Sequence, residues 1–96
     1  MKKQIELPTF GTQEELILTD VSEKFSGYGH RTITAEIEYR GETNSFSHTT
    51  DNMPGFDAAN DIEDYEEKQL ALFELIDYQI QDAIVEWTQN IDYDKE

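Results

Sequence analysis

The most regular alternation of apolar and polar residues lies between residues 32 and 40. Every second position there is apolar: Ile33, Ala35, Ile37 and Tyr39. A period of two places those side chains on one face of an extended segment and the polar ones on the other. The pattern therefore predicts a half-buried strand with a solvated outer face.

A second strand is predicted after Arg40 and Gly41, over residues 42–50. Its one plainly apolar residue is Phe46. A loop of two or four residues places Phe46 on the same face as Ile33, whereas a three-residue loop exposes it, so an even loop is favoured. The Ser, Thr and Asn content of this segment is typical of a sheet edge.

An earlier strand is predicted over residues 14–25, but its apolar residues follow two phases. Ile17 and Val21 share one phase, and Leu16 and Leu18 fall on the other face. Either a bulge near the start of the strand or burial on both sides accounts for both phases. Burial therefore cannot be assigned to one face from this segment alone.

The segments on either side of this strand have no regular period. Pro8 and Gly11 interrupt residues 1–13, which we predict to be a loose N-terminal arm. Residues 26–30 contain two glycines and are predicted to form a turn.

After Phe56 the period changes to 3.6, so residues 57–91 are predicted to be a helical region. Asn60 and Glu63 fit a capping box at its start. A helix over 61–91 is either continuous, about 45 Å long, or broken near 64–70 into a short and a long helix. Its core-facing stripe comprises Ile62, Tyr65, Gln69, Leu72, Phe73, Ile76, Ile80, Ala83, Ile84, Trp87 and Ile91, and we expect the tail after it to fray.

Together these elements predict one α+β domain that spans residues 1–96. Its sheet, over residues 14–50, is a three-stranded antiparallel meander. The long C-terminal helix covers one face of that sheet, in the order β-β-β-α. A length of 96 residues fits one domain.

The charge of the chain restricts its partners. Twenty-two acidic and seven basic residues give a net charge of −15, and residues 57–96 hold thirteen of the acids with two bases. Such a surface repels phosphates, so we expect no direct binding of nucleic acid. No apolar run is long enough to cross a membrane and cysteine is absent, so we expect a cytoplasmic protein without membrane contact.

Catalytic and metal-binding patterns are weak. His30 and His48 are the only histidines, and the predicted helix contains no His/Glu pair spaced four residues apart, as a metal site on a helix would require. Acidic side chains also favour helix N-termini without any metal. We therefore expect no enzymatic activity and no metal or other cofactor. The residues best placed to gather around a cation are Asp57, Asn60, Asp61 and Asp64.

Several apolar residues of the predicted helix fall outside the core stripe and lie among acids. Either the chain itself covers them or a partner does. The candidate partner-binding residues are Glu63, Glu67, Leu70, Glu74, Leu75, Asp77, Tyr78, Asp82 and Val85.

In size, charge and the order of strands before an acidic helix, the chain resembles small inhibitors from phages and mobile elements, the anti-CRISPR and anti-restriction proteins. The resemblance involves no shared motif and transfers no residue role. It implies an acidic interaction module that mimics nucleic acid and docks on a basic groove of a nucleic-acid-processing protein. The alternative is a structural or regulatory domain that forms a homodimer through the apolar candidate residues, with the acidity serving solubility.

Overall fold

A computed structural model shows four strands and two helices in the described part of the chain. The α+β class is confirmed, with one antiparallel sheet and a long C-terminal helix. The described residues are 2–25, 27, 29–51 and 54–95, without the side chains of 12–14, 54 and 95. In chain order the elements are β1 (Lys3–Leu7), β2 (Gly11–Phe25), β3 (His30–Tyr39), β4 (Glu42–Asp51), α1 (Pro54–Asn60) and α2 (Tyr65–Lys95).

The predicted count of three strands is wrong, because β1 adds a fourth strand inside the predicted N-terminal arm. The sheet order is β1-β2-β3-β4. Ile5 and Leu7 are 2% and 1% exposed, so β1 contributes to the core. Two apolar residues in a five-residue strand are too few for a period of two to stand out beside Pro8 and Gly11.

The two phases of β2 result from a bulge. Its pairing with β3 shifts register between Leu18 and Asp20, which makes Thr19 an extra residue. Leu16 and Leu18 are buried before the bulge and Val21 is buried after it. This bulge lies farther along the strand than predicted, although the pairing with β1 is also irregular near the start of β2.

The predicted even-length loop between β3 and β4 is confirmed, and of the two lengths considered it has the shorter, two residues. Tyr39 pairs with Glu42, which leaves Arg40 and Gly41 as the turn, with φ angles of 51° and 83°. Two positive φ angles are those of a type I′ turn, whose twist matches that of the flanking strands. As predicted, Phe46 faces the core, at 9% exposure, and β4 forms an edge of the sheet.

The predicted turn at residues 26–30 includes Ser26 and Tyr28, which lie outside the described residues. In its described part, the His30 N–H donates to the Gly27 carbonyl at 3.0 Å. The imidazole Nδ1 of His30 lies 3.0 Å from a carboxylate oxygen of Asp51, the residue opposite it in β4. These contacts hold the first residue of β3 in place.

The helical region begins three residues earlier than predicted, at Pro54, and is split in two. The interruption covers residues 61–64, earlier than the break considered near 64–70, and α2 is continuous after it. The predicted cap at Asn60 is wrong. The Asn60 side chain donates to the Phe56 carbonyl at 2.9 Å and so lies at the end of α1. Asp64 is the cap of α2 instead, since its carboxylate accepts the Glu67 backbone N–H at 2.9 Å.

The core lies between one face of the sheet and α2. Most of the predicted helical stripe is buried there, but Tyr65 and Ala83 are exposed. Trp87 packs edge-on against Tyr39 and Phe46, with ring centroids 6.2 and 5.6 Å away. The buried stripe residues are Gln69, Leu72, Phe73, Ile76, Ile80, Ile84 and Ile91.

Gln69 is a polar member of this core, at 2% exposure. Its amide Nε2 lies 3.0 Å from Asp20 Oδ1, 3.0 Å from the Val21 carbonyl and 2.9 Å from the Tyr65 hydroxyl. Its Oε1 has no hydrogen-bond partner among the described residues. Gln69 therefore connects the N-terminal part of α2 to β2 through the N–H groups of its amide and not through its oxygen.

The C-terminal end of α2 continues past residue 91 to Lys95, where a frayed tail was predicted. The Tyr39 hydroxyl donates to Asp92 at 2.9 Å, and Arg40 Nη1 lies 3.0 Å from the same carboxylate. Burial and the hydrogen bond to Asp92 raise the pKa of Tyr39. These contacts hold the last turn against the β3–β4 turn.

Candidate interaction surface

The side of α2 that points away from the sheet is exposed, acidic and aromatic. Helical spacing places its members within about a third of the helix circumference. Tyr78 and Tyr93 are 67% and 80% exposed. We call this surface the outer face, and it comprises Glu67, Glu74, Tyr78, Asp82, Glu86 and Tyr93.

The acids of the outer face form no ion pairs with the residues that the structure describes. Among the described residues, none of the four lies within 4.0 Å of a cationic group. The ion pairs that do form are made by acids on other surfaces, such as Glu66 with Lys3 and Asp92 with Arg40. Within the described part of the chain, the negative charge of the outer face is therefore not offset by ion pairs.

The structure brings together four of the nine candidate residues on this face: Glu67, Glu74, Tyr78 and Asp82. Glu63 is exposed in the segment between the two helices, ahead of the first turn of α2. Leu70 and Asp77 lie instead on the flank of α2 beside β1, where they line a groove.

The groove between α2 and β1 is acidic and has a volume of about 490 Å³. Burial raises the pKa of Asp77, and the nearby Glu74 carboxylate raises it further. A half-buried carboxylate beside another acid costs the folded state free energy at neutral pH. The groove is lined by Gln4, Ile5, Glu6, Pro8, Leu70, Phe73, Glu74 and Asp77.

We expect Asp77→Asn to raise the free energy of unfolding at pH 7. Because the folded-state pKa of Asp77 lies above its ordinary value of 3.8, the ionised form destabilises the fold at high pH. The gain should shrink as the pH falls through the folded-state pKa and vanish below 3.8. Urea unfolding at several pH values measures it. Asp82→Asn removes the same charge from the exposed outer face, and equal gains from both variants at every pH would contradict the burial effect.

The apolar candidate residues are mostly covered by the chain itself. Leu70, Leu75 and Val85 are partly buried and pack against the core. Leu75 lies against α1, where a Cβ atom added to Gly55 would be 2.7 Å from Leu75 Cδ2. Tyr78 is thus the candidate apolar residue with a large exposed surface. The sequence could not decide whether the chain itself or a partner covers these residues, because neither β1 nor the position of α1 was predicted.

Two members of the outer face, Glu86 and Tyr93, were not among the candidate residues. Glu86 lies one turn after Asp82, so helical spacing alone could have identified it. Tyr93 fell in the predicted frayed tail and had no assigned face. The residue before it, Asp92, accepts a hydrogen bond from the Tyr39 hydroxyl of β3.

The residues considered as ligands of a cation contact different groups in the structure. Asp57 lies 4.0 Å from Arg31, Asp64 caps α2, and the Asn60 amide donates to Glu23 at 3.3 Å. Across the described residues, no group of three or more acidic or histidine side chains is arranged to hold a metal ion. The oxygen atoms near the helix starts thus serve helix capping and ion pairing.

Comparisons of the chain with models of protein families, with curated protein sequences and with solved structures find no match. Within the described residues, neither helix combines the length and the apolar character needed to cross a membrane. The function proposed below therefore rests on the charge, exposure and geometry of the chain itself.

Proposed function

We propose that this protein is an acidic interaction module that docks the outer face of α2 on a basic surface of a protein partner. The observation that supports this most is the set of four exposed acids on that face, none of which forms an ion pair with a described residue. Lys and Arg side chains of a partner supply the missing charges, and complementary potentials favour fast and selective encounter.

The exposed tyrosines of the outer face support docking in a second way. Tyr78 and Tyr93 each present a large ring to solvent beside the acids. Tyrosine is enriched at protein interfaces because it combines a rigid apolar surface with a polar hydroxyl. Arginine, the cation most suited to such a surface, both pairs with carboxylates and stacks on aromatic rings.

In its sharper form, the proposal is that the outer face takes the place of nucleic acid in a basic groove. Asp82 and Glu86 are four residues apart, so about 6 Å separates them along the helix axis. Two successive phosphate steps of a DNA strand span about 6.8 Å. Such a pair of carboxylates, held on a helix, suits cations arranged to hold a phosphate backbone. The partner is then a nucleic-acid-processing protein, and docking inhibits it.

The alternative, a homodimer through the apolar candidate residues, has less support. Leu70, Leu75 and Val85 already pack against the protein's own core, and that leaves Tyr78 as the exposed apolar contact. One ring is a small surface beside the roughly 800 Å² that each partner buries in a stable complex.

The test is a pair of charge-neutralising triple variants. Glu74→Gln/Asp82→Asn/Glu86→Gln removes three acids from the outer face. A control, Glu6→Gln/Glu42→Gln/Asp61→Asn, removes three exposed acids elsewhere with the same change in net charge. We expect the outer-face variant to lose about 10-fold or more in affinity for a basic nucleic-acid-binding protein captured from the host cell. We expect the control to retain that protein.

Two further properties accompany genuine docking of this kind. The complex should dissociate as the salt concentration rises from about 0.15 to about 0.5 M, because exposed charges are then screened over shorter distances. Duplex DNA should displace the acidic protein from its partner. Equal losses from both triple variants would show non-specific charge attraction, and binding that persists in the outer-face variant would contradict the proposal.

A further inference from the structure

The strand β4 leaves a long and regular edge of the sheet open. It has ten residues, and its ladder with β3 runs from end to end without a register shift. Monomeric proteins commonly protect such edges with lysine, proline, a bulge or a very short strand. The opposite edge, β1, has five residues, a lysine and an irregular register. β4 has none of these protections.

The backbone groups along this edge can be assigned from the turn. In a two-residue turn, the flanking residues Tyr39 and Glu42 form a hydrogen-bonded pair, and hydrogen-bonded pairs then alternate along the ladder. The alternation directs the Ser45 N–H away from β3. In agreement with this, the Ser45 N–H donates to Asn44 Oδ1 at 2.9 Å and not to a residue of β3. The residues that direct their N–H and C=O groups away from β3 are Thr43, Ser45, Ser47, Thr49 and Asp51.

Charge distinguishes this edge from most of the surface. The net charge of −15 makes two copies of the chain repel each other on most approaches. Residues 43–50 contain no acid. On the adjoining flank of α2, Trp87 packs over Phe46, and the uncharged Ala83 and Asn90 are exposed one turn to either side of it. Acids flank this stretch at the two ends of β4, Glu42 and Asp51, and at Glu36 and Glu38 on β3. A second copy therefore meets less like-charge repulsion at the middle of the β4 edge than on the acidic faces of the protein.

We propose that the β4 edge binds β4 of a second copy as an antiparallel pair, which joins two sheets into one of eight strands. The twofold axis passes through Ser47, so that Ser47 lies opposite the partner's Ser47. Ser45 then lies opposite the partner's Thr49, and Thr43 lies opposite the partner's Asp51. In this register no acid faces an acid, and the outward N–H and C=O groups of each β4 meet those of the other. The Ser45 N–H exchanges its bond to Asn44 Oδ1 for one to the partner's Thr49. Both α2 helices remain on the same face of the joined sheet.

The test is the mass of the protein in solution between about 10 μM and about 1 mM, since dimerisation depends on concentration. We expect the mass of two chains for the native protein at the upper end. Ser47→Lys places two like charges opposite each other at the twofold axis and should weaken association about 10-fold or more. The variant also lowers the net negative charge, so general repulsion cannot cause the loss.

A matched control is Ser22→Lys. Ser22 and Ser47 both pair with Thr34, on the two sides of β3, so the control adds the same charge to the same face of the sheet. It lies on the interior strand β2 and should dimerise like the native protein. Circular dichroism and thermal unfolding check that both variants fold.

Amide hydrogen exchange locates the contact. The Thr43, Ser47 and Thr49 N–H groups should become protected as concentration rises, and Ser47→Lys should remove that protection. Dimerisation should hold or strengthen at about 0.5 M salt, because the remaining acid repulsion is screened, whereas the proposed docking on a basic partner weakens. A native mass of one chain at about 1 mM, or equal association of Ser47→Lys and the native protein, would overturn the proposal.

Discussion

Gln69→Glu is expected to destabilise the protein by about 3–5 kcal/mol at pH 7, because it places an unpaired carboxylate in the core. The native amide nitrogen faces three oxygen atoms, on Asp20, Val21 and Tyr65, and the side chain is 2% exposed. A carboxylate oxygen at that position meets two acceptors, one of them charged, and loses both amide donors. A domain of this size has a free energy of unfolding of only about 5–15 kcal/mol.

The pH dependence of this loss has a definite sign. Burial and the Asp20 carboxylate disfavour ionisation of the new acid, so its folded-state pKa should lie above its unfolded value of about 4.3. The penalty is complete above the folded-state pKa and disappears as the pH falls below the unfolded value. Urea unfolding at pH 7 and at lower pH measures the difference. Gln79→Glu adds the same charge to an exposed position of α2 and is the control. A similar, small loss in both variants would contradict the contact assigned to Gln69.

The elements with strong periods were predictable. The alternation around Ile33 and the spacing of the α2 stripe both follow from burial of one face of the element. Such burial produces a periodic pattern of apolar residues in the sequence. An even number of residues in the loop at Arg40 and Gly41 was predictable, because only an even number places Phe46 on the same face as Ile33. In each case the apolar residues themselves decide which face is buried, so local pattern and tertiary packing agree.

The elements that were missed depend on contacts distant in the sequence. β1 is a strand because Ile5 and Leu7 complete the core beside α2, and nothing in its five residues requires that locally. The cap of α2 was misplaced because Asn60 and Asp64 are equally good caps by residue type. Packing decides between them: Asn60 serves the end of α1, where its amide also reaches Glu23.

The part of the candidate site that depends only on helical spacing was predictable. Spacing alone placed Glu67, Glu74, Tyr78 and Asp82 on one side of α2. It could not tell whether Leu70 and Leu75 were exposed, since that depends on β1 and α1 lying against the two flanks of the helix. Predicting a surface requires knowing every element that covers it, so one missed strand changes the surface as well as the fold.

The short helix α1 is held to the body largely by the buried ring of Phe56. This side chain is 0% exposed, and the Arg31 guanidinium lies over its ring, 5.2 Å from the centroid. Arg31 also forms an ion pair with Glu23 at 3.1 Å. Phe56 therefore connects the hydrophobic core with the charged contacts between α1 and the sheet.

We expect Phe56→Ala to lower the free energy of unfolding by about 3–5 kcal/mol, the usual cost of removing a fully buried ring. The cavity and the lost contact with Arg31 act together, since the guanidinium then covers an empty space. Chemical unfolding measures the loss. Tyr93→Ala removes a ring that is 80% exposed and should change stability by no more than about 0.5 kcal/mol. If Phe56→Ala cost less than about 1 kcal/mol, α1 would be held by its other contacts, and the ring would not be the anchor that its burial indicates.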